Sequence, residues 1–208
     1  MANATVKSLG SKIKKEGAEE LEGEFNKKAT KLGQVKASLE EMIEEIEAEM
    51  KDSKGDPPVE VTTSSKGVTL EISGDFSFGS GSSGISPGLK KLLSEKIVPE
   101  IKNSIFQIEI AGHTDSDALP KADQKRFPSN WELSTARGAA VVRNVIDQGV
   151  NPTRLVAAGY ADWVPRGQAQ NLTQLIDRKT VLELNDTPEN KGRNRRIEIT
   201  FLKPSHHT

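Results

Sequence analysis

The run IEIAGHTDSD (residues 108–117) carries an alternating apolar strand straight into a carboxylate, Asp115. FPSNWELSTARG (residues 127–138) then sets a guanidinium, Arg137, two turns into the following helix. Strand ends and helix starts are where layered α/β folds meet ligands rather than core. A helix start also offers unpaired N–H groups and the positive end of its dipole. One carboxylate can take an ammonium, while a guanidinium beside a helix start can take a carboxylate. The ligand class that fits both is a zwitterion, an amino acid whose α-amino and α-carboxylate groups are both free. Charge and spacing alone favour a plainer arrangement, in which Asp115 and Arg137 pair with each other, because structural ion pairs outnumber ligand clamps.

Other chemistries find less support. A metal cluster or acid/base set of His113, Asp115 and Asp117 is the enzyme reading, but beyond the ligand-type side chains of His113 and Asp115 no third ligand is evident, and His113 reads as a residue that shapes the turn. His206 and His207 lie in the carboxy-terminal tail. The absence of cysteine removes disulfides, thiolate nucleophiles and cysteine metal sites together, and neither a nucleophile elbow nor a phosphate loop occurs. The expectation is a binding module, not an enzyme, with no cofactor or metal. A net charge of −1, with 28% charged and 4% aromatic residues, lacks the basic footprint of a nucleic-acid binder. A chain without cysteine suits a reducing cytosol or a bacterial periplasm. No run of 18 apolar residues occurs, and MANATVKSLGSKIKKEG has no apolar stretch behind its lysines. Neither a membrane span nor a signal peptide is expected in these residues, which can be a piece of a longer protein.

Two regions must position this chemistry. In residues 1–57, apolar positions fall every seven residues at Ala18, Phe25, Leu32, Leu39 and Ile46, with Leu21, Val35 and Met42 supplying a second seam. That spacing predicts a coiled-coil-like helix. The narrow seam beside the acidic run EEMIEEIEAEM points to a partner helix and a homodimer, against a helix lying on the chain's own globular part. KDSKGDPP (51–58) reads as a linker, and the second domain runs from 58 to 208. VEVTTSSKGVTLEIS predicts a hairpin. After the glycine-rich stretch DFSFGSGSSGIS, a helix is capped by Ser86, started by Pro87, and bent or ended by Pro99. SIFQIEIAG predicts a strand and Trp131–Gln148 a helix with Asn130 as its cap. GVNPTRLVAAGYAD gives a turn and strand, residues 163–190 are polar with a short helix near 172–178, and NRRIEITFL closes as a strand. The fold class is α+β, a mixed βαβαβ sheet with helices on one face, preceded by the helical segment.

The ordered set IEIAGHTD, SNWELSTAR, RLVAAGYAD and GRNRRIEI resembles the OmpA-like carboxy-terminal domain over roughly residues 59–203, and FSFGSGSSGIS resembles the loop before that family's first helix. The resemblance implies peptidoglycan as partner, bound through the diaminopimelate of its stem peptide. Asp115 would receive the ammonium and Arg137 the carboxylate, with Asn130 in support, Arg195 at the pocket edge, and Asp117 and Ser80 at the rim. Within the family, FPSNWELSTAR and LVAAGYADWVP are most similar to stator B subunits of the MotB or PomB type. That likeness implies a periplasmic homodimer whose parent is held in the inner membrane by a helix absent from these residues, beside a membrane-embedded A-type subunit. An OmpA- or Pal-type tether, or a subunit of another envelope machine, is the alternative. Residues 163–190 form a longer link to NRR than the family's pattern.

Overall fold

A computed structural model describes residues 2–49, 58–166 and 176–203, with side chains of the first span described from 20 to 48. Five strands form one sheet: β1 (Val59–Thr63), β2 (Gly67–Ser73), β3 (Ile108–His113), β4 (Leu155–Gly159) and β5 (Arg196–Leu202). Their order is β1-β2-β5-β3-β4, antiparallel throughout except for the parallel β3–β4 pair. The register sets Ile72 opposite Ile197, and Leu70 and Ile110 both opposite Ile199. One face of the sheet is thereby apolar from β2 across β5 to β3.

The helices cover that face. Leu89, Leu93, Val98 and Ile101 join the sheet residues in a single core, as do Val141 and Val145. The first pair of turns is α3 (Pro87–Leu92), started by Pro87 and capped by Ser86, whose Oγ accepts from the Leu89 N–H at 3.0 Å. Pro99 neither ends nor breaks the helical run. A π turn at Leu93–Ile97 widens the ladder just where the proline lacks its donor, and α4 (Val98–Asn103) continues. The next strand starts at Ile108 instead of Ser104, because the chain first has to leave the end of α4, where Ser104 N–H still bonds Glu100.

The amino-terminal helix, α1 (Ala2–Glu49), departs from the expectation of a free seam. Leu32, Val35, Leu39, Met42 and Ile46 are buried in the same core as the sheet, with α1 set against β1, β2 and α4. A stripe wide enough for a partner helix is also wide enough to cover the outer strands of a sheet, and intramolecular packing wins. Further up, Leu21 stays 70% exposed. The expected linker lies outside the described residues apart from Pro58, as do residues 172–175 of the short helix expected near 172–178. The described helices there are α6 (Arg178–Glu183) and α7 (Pro188–Asn194), capped by Asp177 and Thr187. No helix among the described residues is long and apolar enough to cross a membrane.

Candidate functional site

The helix that carries Arg137, α5 (Asn130–Asp147), lies almost directly on the sheet. A Cβ on Gly138 would stand 2.6 Å from the Ala158 carbonyl oxygen and 2.9 Å from that of Ile110, and one on Gly112 would stand 2.1 Å from that of Ser134. Only glycine permits such an approach. The cap of α5 is Ser129, not Asn130: its Oγ accepts from Trp131 N–H at 3.2 Å, and Glu132 accepts from Ser129 N–H at 2.8 Å. This reciprocal box engages donors that spacing alone leaves open for a ligand carboxylate. Asn130 instead donates from Nδ2 to the carbonyls of Asp115 at 3.2 Å and Asp117 at 2.9 Å, which ties the loop after β3 to the start of α5.

These elements border a cleft of about 670 Å³ lined by Asp115, Asp117, Asn130, Arg137, Arg195 and the glycine-rich turn at 79–81. Arg137 is 6% exposed and pairs with no carboxylate among the described residues. Its Nε donates to the Ser82 carbonyl at 2.9 Å and its Nη2 to that of Gly79 at 3.3 Å, while its guanidinium lies 5.0 Å from the centre of the Phe78 ring. Burial pushes its pKa down to about 10, against the pull of Asp75 and Asp115, so it is still a cation at neutral pH. The pairing of Asp115 with Arg137 that charge and spacing favour does not form. Asp115 Oδ2 meets Arg195 Nη1 at 2.6 Å, and its Oδ1 accepts from Asp117 N–H at 3.1 Å.

Asp75, in the short helix α2 (Gly74–Ser77), accepts from Arg195 Nε at 2.9 Å and Nη2 at 2.7 Å. Those bonds lower the Asp75 pKa, and the hydrogen bonds that Arg195 donates to Asp75 and Asp115 raise its own. Asp117 is largely exposed and bonded to Lys191 at 2.7 Å, and Ser80 is exposed on the rim. The structure therefore brings Asp115, Asn130, Arg137 and Arg195 to one cleft, with Asp117 and Ser80 at its edge. His113 points elsewhere: it is 1% exposed, stacked on Tyr160 at 5.2 Å, with Nε2 3.4 Å from Glu198 Oε1. Among the described residues no group of three or more His, Asp or Glu side chains could hold a metal ion. Sequence reasoning missed Asp75, Phe78 and the carbonyls of Gly79 and Ser82. The only signal was their place in the glycine-rich stretch, where a chain can fold back tightly around a side chain. It also missed Thr114, which lines the cleft and whose buried Oγ1 makes no hydrogen bond among the described residues.

Residues 77–175 match the OmpA family model. Over 165 residues, 79% of this chain, the uncharacterized protein YtxE and motility protein B of Bacillus subtilis (strain 168) are 27% and 26% identical to it. The chain spans 60% and 56% of their lengths. Among solved structures, a putative MotB-like protein from Desulfovibrio vulgaris shares the fold, with a TM-score of 0.62 at 21% identity over 85% of this chain and 99% of that one. The cell wall anchor of the T6SS from Pseudomonas aeruginosa gives 0.58 at 25% identity over 78% and 97%. The periplasmic domain of Helicobacter pylori MotB gives 0.56 at 26% identity over 72% and 84%. With a five-stranded mixed sheet under one layer of helices, and with residues 77–175 matching the OmpA family model, the globular part of this chain is similar to the OmpA-like domains of MotB proteins.

Proposed function

We propose that this chain is a non-catalytic anchor to peptidoglycan, held through the diaminopimelate of the stem peptide. The observation that carries the reading is Arg137, a buried cation that faces a cleft with carbonyls and an aromatic ring for company and no carboxylate paired to it among the described residues. A ligand carboxylate supplies the missing counter-charge in a partly dry site, where a charge-assisted bond is strongest. Asp115 takes the ammonium, in exchange for or alongside Arg195, and Asn130 holds the Asp115 loop in place. Binding of this kind needs only pre-placed charges. The cell wall anchor among the structural neighbours supports the class of ligand.

In the fuller reading, the chain is the periplasmic part of a stator B subunit of an ion-driven motor. It acts as a homodimer beside a membrane-embedded A-type subunit, and the parent protein is anchored in the inner membrane. Two weak wall sites on one dimer gain avidity on a polymeric lattice. The likeness to the T6SS anchor favours one alternative, the same wall anchor serving another envelope machine. The test is a pull-down of the chain and its Arg137→Ala variant on purified sacculi, with free diaminopimelate as competitor. Binding should be lost by mutation and by competition alike; equal retention in every case would overturn the diaminopimelate clamp, and a parent chain that does not bind sacculi would overturn the wall-anchor reading.

A further inference from the structure

The charges that line the cleft are unevenly shared. Arg137 has no carboxylate among the described residues, whereas Arg195 has two: its Nε and Nη2 meet the two oxygens of Asp75 at 2.9 and 2.7 Å, and its Nη1 meets Asp115 Oδ2 at 2.6 Å. The two halves of that grip differ. With Asp75 the contact is bidentate, the geometry that fixes a guanidinium in place. The backbone fixes it too, because the Gly74 N–H donates to the Arg195 carbonyl at 2.8 Å, and a Cβ on Gly74 would stand 2.8 Å from that oxygen. Asp115 is steadied by its own loop, with Asp117 N–H on Oδ1 and Asn130 on its carbonyl, and it gives Arg195 a single oxygen. Breaking that one bond frees Oδ2 and leaves every other tie intact.

We propose that Asp75 is a positioning residue for the zwitterionic ligand: it retains Arg195 when the ligand ammonium displaces that arginine from Asp115. The inference rests on the reading of the cleft given above. Two cations, Arg137 and Arg195, stand there with two anions, Asp75 and Asp115, while Asp117 at the rim is taken by Lys191. A ligand carboxylate on Arg137 and its ammonium on Asp115, with Arg195 left to Asp75, turn this uneven set into three one-to-one pairs. Without Asp75 the outcome reverses. Arg195 would then have Asp115 as its sole carboxylate, and once displaced it would stand as an uncompensated cation close to the incoming ammonium. The Asp75 side chain is 64% exposed against 14% for Asp115, and an exposed pair contributes little to stability, so loss of the Asp75 charge should spare the fold.

Titration calorimetry with free diaminopimelate on the parent chain, Asp75→Asn, Arg195→Gln and the double variant tests this. Asp75→Asn alone should weaken binding about tenfold, within the usual range of coupling between charges that share a partner. In the Arg195→Gln background, where no displaced cation needs a counter-charge, the same change should cost nothing. That dependence separates positioning from a structural role, since a cleft deformed by Asp75→Asn would bind poorly in both backgrounds. An unchanged Kd for Asp75→Asn, or an equal loss with and without Arg195, would overturn the role of Asp75 and leave the zwitterion cleft standing. Loss of binding in Arg195→Gln alone would overturn it as well, because Arg195 would then be a ligand contact and not a displaced ion. If diaminopimelate does not bind the parent at all, the reading of the cleft falls and this one with it.

Discussion

Asp115 and Arg137 stand out in the sequence as a carboxylate past a strand and a guanidinium inside a helix, and those placements are legible because strand alternation and helix spacing are local properties. Their partners are not. Arg195, which takes Asp115, lies 80 positions along the chain, and the carbonyls of Gly79 and Ser82 that hold Arg137 lie 58 and 55 positions back. The cap is ambiguous for a simpler reason: Ser129 and Glu132 carry the capping-box spacing, and Asn130 beside them is also a good cap residue. At this scale Asp115→Asn keeps shape and loses charge, so diaminopimelate should bind more weakly by about 1–3 kcal/mol, as measured by calorimetry. An unchanged affinity would remove Asp115 from the clamp. Arg137→Lys keeps the charge but loses the planar fork, and should bind far more weakly than the parent.

Among the elements, the hairpin, the helix start at Ser86–Pro87 and the closing strand are readable from alternation and turn chemistry. The seam of α1 is readable as a seam but not as to its partner, because a 3.5-residue repeat serves a sister helix and a sheet equally. The structure gives Leu39 full burial against the chain's own core. Leu39→Ala should therefore destabilise the globular part by about 2–5 kcal/mol in chemical unfolding, as deletion of a core leucine does. If α1 served only a partner helix, the same change would alter the mass in solution and leave the unfolding of the domain untouched.

For the whole molecule, the sheet's second face is the least legible feature. Glu198, Arg196 and His113 on that face are all buried, although alternation in NRRIEIT predicts a solvated side. Part of the cover is the segment after β4, whose Val164 carbonyl accepts from Arg196 and whose Tyr160 stacks on His113. Burial, helped by Arg196 and Lys66 and opposed by Glu198, holds His113 below its usual 6.5, so it is neutral in the fold. Burial works against the Glu198 carboxylate as well, but His113 and Arg196 overcome it and bring it to about 2. Both groups take up protons more readily in the unfolded chain. Stability should fall as pH drops below 6.5 on account of His113, and again from 4.5 towards about 2 on account of Glu198. Glu71, raised by burial, opposes part of the second step. Urea midpoints against pH would show the two limbs, and His113→Asn should remove the first; a flat profile between pH 7 and 5 in the parent chain would contradict the neutral histidine.

A crystal structure of this chain soaked with free diaminopimelate would show whether Asp115 and Arg137 hold a zwitterion between them. The expected density places the ligand ammonium within about 3 Å of an Asp115 carboxylate oxygen and a ligand carboxylate across the Arg137 fork, with α5 unmoved. A ligand bound elsewhere, or a cleft still empty at saturating diaminopimelate with Arg195 seated on Asp115, would contradict it.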